Sequence, residues 1–521
     1  MRIATIGNGT TELYSAEVVG AKAANLARMA ALGLPVPPAF VLPVALCAAV
    51  VKGDRDAHKE LAAGLEEGIA FLQKVTGRAF DDRRRPLLVS VRSGAARSMP
   101  GMLDTVLDVG CTAAAVHGLV RMTGNPRFAW DCRRRFLESY SEVVLGLEPA
   151  PFAARRSALS RNDTADSESI ERLAADYQQL IEDEDEKLPD HPMEQLEAAA
   201  HAVYRSWMSE RAATYRRLQQ LDDLQGTAVT VQAMVFGNRG RNSGAGVAFS
   251  RDPSTGAPQP VIEVLFESQG EDVVSGSATP DGEQAIERLA PRAAASLRET
   301  LVRLEREFAD VQDVEFTIED GKLWILQTRS AKRTPLAALK FAADFVREGL
   351  ITRQEALHRV EGVDLAALAH RRFSGVCEPA GQGIPASTGV AVGRAAFDAE
   401  SAQRLAARGE AAILVRPDTS TADVAGFAAA SGIVTAHGGR TAHAALVARQ
   451  LGKPCVVGCG ALIIDASAAR LGDSELKPGD WLSLDGETGA VYRGRRDIVT
   501  EAPQAELAEV ARWRAQVACS A

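Results

Sequence analysis

The chain has 521 residues, 46% hydrophobic and 24% charged, the balance of a folded globular protein with room for about three domains. Its formal net charge of −9 argues against nucleic-acid or anionic-membrane partners, which favour basic surfaces. No segment approaches the ~20 uninterrupted apolar residues of a membrane helix, and the N-terminus lacks a signal-type apolar core. Seven cysteines without a CxxC pair fit a reduced, cytoplasmic protein. Of 59 basic residues 49 are Arg and 10 are Lys, so a Lys carries more weight than an Arg at any candidate site.

In chain order, Gly20-Ala21-Lys22 opens a predicted helix over residues 23–32, where Leu26, Met29 and Leu32 recur at helical spacing before Gly33 ends it. Residues 86–94 read as a buried strand entering a Gly/Ser loop, and residues 126–148 and 193–220 as helices. The Ser/Asp-rich stretch between those helices, with its acidic run 182–186, reads as a solvated face or connection. Strand patterns return over 227–249 and continue to 326, residues 331–372 look helical, and 375–383, containing Pro379, form a linker. Short apolar strands at 412–415, 433–435 and 455–457 then alternate with helices, and 506–517 is a terminal helix.

Two segments carry chemistry. In 311–318, strict alternation puts Asp313, Glu315 and Thr317 on one strand face and Val314, Phe316 and Ile318 on the other. Glu319-Asp320-Gly321 signals a hairpin whose return strand sets Gln327 and Arg329 on a common face. Two carboxylates and an amide oxygen suit Mg²⁺, whereas the plainer reading is a polar hairpin face in water. Lys22 at a helix start and the loop 93–102 after a buried strand could each hold phosphate; a solvated lysine and an ordinary loop are the alternatives. The second segment is Thr435-Ala436-His437-Gly438-Gly439-Arg440-Thr441-Ala442-His443-Ala444-Ala445, an apolar strand passing through a Gly-Gly turn into a helix. Thr441 is placed to cap that helix, with His443 in its first turn, where N–H groups and the helix dipole favour an anion on the imidazole. Small alanines on both sides leave the ring open to a partner; a structural or merely exposed histidine is the competing reading.

Together these motifs closely resemble the pyruvate phosphate dikinase family, from Gly20-Ala21-Lys22-Ala23-Ala24-Asn25-Leu26 to Ser483-Leu484-Asp485-Gly486-Glu487-Thr488-Gly489. The His443 segment is shared with other dikinases, while Val91-Arg92-Ser93-Gly94 and Ser98-Met99-Pro100-Gly101-Met102-Leu103-Asp104-Thr105 look specific to the phosphate-using branch. The resemblance implies a mixed α/β chain. Residues 1–340 would be an ATP-grasp nucleotide-binding domain, 341–383 a helical segment and linker, 384–496 a swivelling β/β/α phosphohistidine domain, and 497–521 a C-terminal tail helix. It also implies that Lys22 and Arg92 hold ATP phosphates under the 93–103 loop, Gly101 within it, and that Gln232 to Val235 lie by the adenine. Asp313, Glu315 and Gln327 would position Mg²⁺ and phosphate beside Arg329, with Arg135 a weaker phosphate candidate. His443 would attack the β-phosphorus of ATP, releasing AMP, and inorganic phosphate would then leave as pyrophosphate, with phosphohistidine remaining on the protein. Thr441 sits where family members are regulated by phosphorylation.

Three departures shape the expectation. The family continues into a barrel that binds pyruvate or phosphoenolpyruvate, and this chain stops at Ala521, so a separate protein carrying that site is the expected partner, with a homodimer also considered. His437 stands where the family usually has Arg, which would make transfer fall more steeply with rising pH, and Ala21 replaces a family Gly. The contrasting reading is a nucleotide-binding regulatory subunit or ATP/AMP sensor without turnover.

Overall fold

A computed structural model describes residues 3–7, 9–97, 99, 103–159, 166–275, 279–363, 370–375, 377–418, 424–440, 442–464, 469–501 and 504–520; the side chains of 218, 274, 275, 370, 424, 425, 443, 501 and 517–520 are outside the description. The chain divides into two compact units, one of Met1–Gly240 with Trp324–Thr328 and one of Arg241–Leu323 with Arg329–Ala521.

In the first unit, β1 (Ala4–Ile6), β2 (Ala39–Leu42), β3 (Val89–Gly94), β4 (Thr105–Val109) and β5 (Ala228–Ala233) form an antiparallel sheet in the order β1-β2-β5-β3-β4. β2 and β5 are buried at every position, so their apolar runs lack the alternation of a half-exposed strand. The first helix is longer than expected. It spans Ala16–Ala31, but Gly20 breaks it at φ 79° and ψ 154°, so regular turns resume at Ala21 and carry Lys22. The stretch read as a solvated connection is in large part the helix Ser167–Asp183, capped by Asp166 and burying Ile170, Leu173, Ala174, Tyr177 and Ile181. Its apolar residues recur every three or four positions, but the surrounding acids and amides mask them in composition.

The helix Pro126–Tyr140 starts with Asn125 accepting from the Phe128 N–H and Pro126 in its first turn. Its buried ion network centres on Asp131. One carboxylate oxygen accepts from Arg134 Nε at 2.9 Å and Nη2 at 2.7 Å, and the other from Arg135 Nε at 2.9 Å and Asn238 Nδ2 at 2.7 Å. Burial pushes this carboxyl up, but Arg135 and Arg134 outweigh it and hold the group far below the ordinary carboxylate range.

The second unit begins with β6 (Gly244–Phe249), β7 (Val261–Phe266), β8 (Asp281–Gly282) and β9 (Gln312–Glu319), in the order β9-β6-β7-β8. Asp320 and Gly321, both at positive φ, turn the chain into β10 (Lys322–Ser330). Strand pattern does not persist to 326 as expected, because the helices Glu283–Leu289 and Pro291–Phe308 intervene. Leu297, Leu301 and Leu304 bury one stripe of the longer helix at i, i+4 and i+7 spacing. The helical stretch expected over 331–372 is two helices, Pro335–Arg347 and Arg353–Arg359, and β11 (His370–Phe373) ends it.

The following strands are β12 (Gly381–Gln382), β13 (Ile384–Ser387), β14 (Val390–Ala396), β15 (Ala412–Arg416), β16 (Gly432–Thr435), β17 (Cys455–Val457), β18 (Leu462–Ile464), β19 (Ala469–Leu471), β20 (Ser474–Glu475), β21 (Trp481–Asp485), β22 (Ala490–Arg493) and β23 (Ile498–Glu501). An eight-stranded sheet runs β12-β22-β21-β14-β15-β16-β17-β13, parallel from β14 through β17, and β11 pairs with β23. The terminal helix, Gln504–Ser520, packs Val510 and Trp513 against Leu339, Ala342 and Ala343.

Replacing Asp131 by Asn leaves two buried guanidinium groups without their shared anion, and we expect a loss of about 3–5 kcal/mol in denaturant unfolding. A depressed carboxyl stabilises the fold above the unfolded-state value of about 4 and loses that contribution as pH falls below it, so D131N should flatten the acid limb of the stability curve relative to wild type.

Candidate functional site

The first unit builds a cation-rich cavity from sheet and helix. Antiparallel register sets Arg92 of β3 opposite Thr230 of β5, and Gln232 lies two residues further along β5, on the same face. The cavity is lined by Lys22, Ala23 and Leu26 of the first helix, Arg92 and Ser93 of β3, Thr230 and Gln232 of β5, and Leu326 and Gln327. A second cavity shares Lys22 and Ser93 and adds Ala21, Gly94, Ala95, Arg97, Met99 and Leu103. Three cationic side chains and no carboxylate line these cavities among the described residues, which is the electrostatics of a phosphate site.

What brings helix and strand together is a backbone contact. A Cβ on Gly20 would lie 2.0 Å from the Gly94 carbonyl oxygen, and the Ala21 N–H donates to the Ala95 carbonyl at 2.9 Å. Only glycine accepts both this approach and φ +79°. The Gly94 N–H is held in turn by Thr227 Oγ1 at 2.9 Å, and Asn25 Nδ2 donates to the Thr328 carbonyl at 3.1 Å.

Lys22, Arg92, Gln232 and Gln327, singled out from sequence, therefore line one cavity. Gly101 lies outside the described residues. Arg135 is buried and bonded to Asp131, so its charge serves the helix network rather than either cavity. Thr230 escaped the sequence reading: its buried Oγ1 has no hydrogen-bond partner among the described residues, and its position two residues before Gln232 on one strand was the available signal.

In the second unit, Asp313, Glu315 and Thr317 share a face of β9, as alternation predicted. That face is not a polar surface in water. Asp313 is 2% exposed, and its cross-strand neighbours on β6 are Phe249, Val247 and Ala245 for the three residues in turn. Arg329 Nε donates to Asp313 Oδ2 at 2.9 Å, and its Nη2 approaches Glu315 Oε1 at 3.8 Å. Burial lifts the Asp313 carboxyl above its ordinary range against the pull of Arg329. Its Oδ1 is buried with no hydrogen-bond partner among the described residues. An orphaned carboxylate oxygen beside a second carboxylate fits a hard divalent cation, which takes one or two protein carboxylates and completes its shell with water and phosphate oxygens.

The histidine segment leaves β16 at Thr435 and enters the helix His443–Leu451, closed by Gly452 in the left-handed conformation. His443 falls in the first turn, as expected, and is its first residue, so the cap position falls to Ala442, which has no side-chain oxygen; Thr441 lies outside the described residues. His437 is exposed, and its N–H donates to the Pro417 carbonyl at 2.9 Å. The turn before the helix is tightly packed. A Cβ on Gly439 would sit 2.5 Å from Pro280 and 2.6 Å from Glu263 Oε2, and the Arg440 N–H donates to Glu263 Oε1 at 2.5 Å.

Fold and site thus define an α/β nucleotide-binding protein followed by a histidine-bearing domain. Family models agree: the pyruvate phosphate dikinase AMP/ATP-binding domain matches residues 57–290 and 282–348, and the PEP-utilising enzyme mobile domain matches 409–489. The chain belongs to the pyruvate phosphate dikinase family, whose nucleotide domain is of the ATP-grasp type. It is 43% identical over 500 residues to pyruvate, phosphate dikinase of Clostridium symbiosum, covering 93% of this chain and 57% of that protein. Identity is 40% to the Rhizobium meliloti enzyme, covering 98% of this chain and 60% of that protein, and 41% to the chloroplastic enzyme of Flaveria pringlei, covering 99% and 55%. The chain therefore spans between 55% and 60% of the length of these relatives. Among the described residues no helix is long and apolar enough to cross a membrane.

Because Gly20 has no room for a methyl group, Gly20→Ala must push the Lys22 helix away from β3. We expect ATP affinity, measured by calorimetry, to fall at least about tenfold, with a lower melting temperature.

Proposed function

We propose that this chain carries out the nucleotide half-reaction of a pyruvate phosphate dikinase, moving phosphoryl groups from ATP to His443 with inorganic phosphate as co-substrate. The observation that supports this most is the cavity where Lys22, Arg92, Gln232 and Gln327 meet, the last three of them within the residues matched by the family's AMP/ATP-binding domain. Lys22 and Arg92 hold the ATP phosphates, the first as a point charge and the second as a planar fork. Gln232 orients the base, and Gln327 contributes an amide oxygen beside the phosphates. Asp313 and Glu315 would hold Mg²⁺, which when bound neutralises phosphate charge. Arg329 keeps those two carboxylates in place and adds a positive charge of its own.

In the first step a neutral imidazole nitrogen of His443 bonds to the β-phosphorus. The bond from that phosphorus to the bridging α–β oxygen breaks, AMP leaves with the oxygen, and the ring proton passes to solvent. In the second step an oxygen of inorganic phosphate bonds to the terminal phosphorus, the bond from that phosphorus to the bridging oxygen breaks, pyrophosphate leaves, and the oxygen stays on the histidine-bound phosphorus as phosphohistidine. Such transfers depend on positioning and charge neutralisation more than on a strong base, which is the chemistry that Lys22, Arg92 and Arg329 offer. The relatives' name pairs pyruvate with phosphate, so pyruvate is the onward acceptor in this reading.

Labelled ATP tests the reading. Label in the β-position should become acid-labile on the wild-type protein without added pyruvate, and should be absent from His443→Ala. Label in the γ-position should accumulate on the protein only when phosphate is withheld. ATP binding without any uptake of β-label would establish the sensor reading instead.

A further inference from the structure

Arg449 is a fully buried charge that the chemistry above does not use. It lies six residues after His443 on the same helix and has 0% of its surface exposed. Its Nη1 donates to the Ala386 carbonyl of β13 at 2.9 Å, its Nη2 donates to the Arg440 carbonyl at 2.6 Å, and its guanidinium stands 5.4 Å over the Phe249 ring of β6. Nε has no hydrogen-bond partner among the described residues. A guanidinium buried against carbonyls and a ring costs free energy that a packed apolar side chain would not. That cost is offset only if the contacts accomplish something a Leu or Met could not.

The contact to Arg440 indicates what that is. Helical side chains lean toward the helix N-terminus, so Arg449 reaches back past the helix start to the residue three before His443. Arg440 is then held at both ends: Arg449 binds its carbonyl while its N–H is bound by Glu263 Oε1. Its side chain lies 3.6 Å from Asp252, and Gly439 before it has no space for a Cβ. The peptide leading into His443 cannot shift along its own axis without breaking a charge-assisted hydrogen bond at one end or the other. Burial pushes the Arg449 guanidinium below its ordinary range, and the carboxylates of Asp313, Glu263 and Asp252 offset only part of that cost.

We propose that Arg449 is a positioning residue for the phosphoryl acceptor: by holding the Arg440 carbonyl it sets the path of the turn and therefore the direction in which His443 leaves the helix start. This inference rests on the assignment of His443 as acceptor. It predicts a defect in chemistry rather than in nucleotide binding, because the ATP cavity is built from other residues.

The test uses Arg449→Gln and Arg449→Lys in the full chain. In single-turnover labelling with β-labelled ATP, the rate of His443 loading should fall at least about tenfold in R449Q, as expected for a misdirected nucleophile, with the Kd for ATP within about twofold of wild type. R449K keeps one carbonyl contact and should recover part of the rate; if R449Q does not fold, a reduced loading rate at unchanged Kd in R449K decides the matter. Amide hydrogen exchange over residues 438–442 should quicken in both variants while β21 keeps its protection. An unchanged loading rate, a loss of ATP affinity in proportion to the rate, or unaltered exchange in the turn would each overturn the proposal. Absence of label on the wild type would remove the His443 assignment itself, and exchange in the turn would still decide whether Arg449 holds Arg440.

Discussion

The cation-rich cavity depends on a contact between two pieces of backbone. Gly20 approaches the Gly94 carbonyl so closely that no side chain fits, and the Ala21 N–H ties the same corner to Ala95. That approach sets the turn carrying Lys22 against the strand carrying Arg92, so the two cations meet although 70 residues separate them in the chain. Cations brought together repel, and the arrangement persists because their scaffold is rigid. β3 and β5 pair over six registered residues and are buried against helices. A site whose geometry is set by sheet register and a glycine contact is preorganised for a polyanion, so little ordering remains to be done when one binds.

In the second unit the governing quantity is burial of charge. Asp313 and Arg449 are enclosed to a degree that surface pairs never reach, with Arg329 half-buried beside Asp313, and each is tolerated because opposite charge or a carbonyl lies within hydrogen-bonding distance. The orphaned oxygen of Asp313 is the exception, and its place on a strand face with Glu315 makes it the natural ligand of a cation. The histidine turn obeys the same logic. Gly439 lets the chain pass against Glu263, and the acidic side chain then binds the next N–H. Flexible residues therefore make a firmly held turn.

Much of this was legible beforehand, with clear physical limits. Alternation in 311–318 identified the faces of β9 correctly, and the Gly452 stop of the histidine helix followed from its left-handed preference. The helices Ser167–Asp183 and Pro291–Phe308 were missed because their exposed faces are so polar that composition hides a narrow apolar stripe. The cap of the His443 helix was assigned to Thr441, because a Thr near a helix start is a strong local signal, whereas the cap position is Ala442.

The amino-acid sequence determined by itself which chemistries were available: a scarce lysine at a helix start, two carboxylates on one strand face, and a histidine framed by glycine and alanine. These are properties of residue type and short-range spacing, and periodicity reveals them. Only the tertiary structure decided that Thr230 joins Arg92 and Gln232, that Asp313 is enclosed rather than wetted, and that Arg449 reaches the Arg440 carbonyl. Each of those facts depends on strand register or on contacts across a packed face, where the participants lie tens to hundreds of residues apart or, as with Arg449, where the partner is a backbone carbonyl that carries no sequence signal.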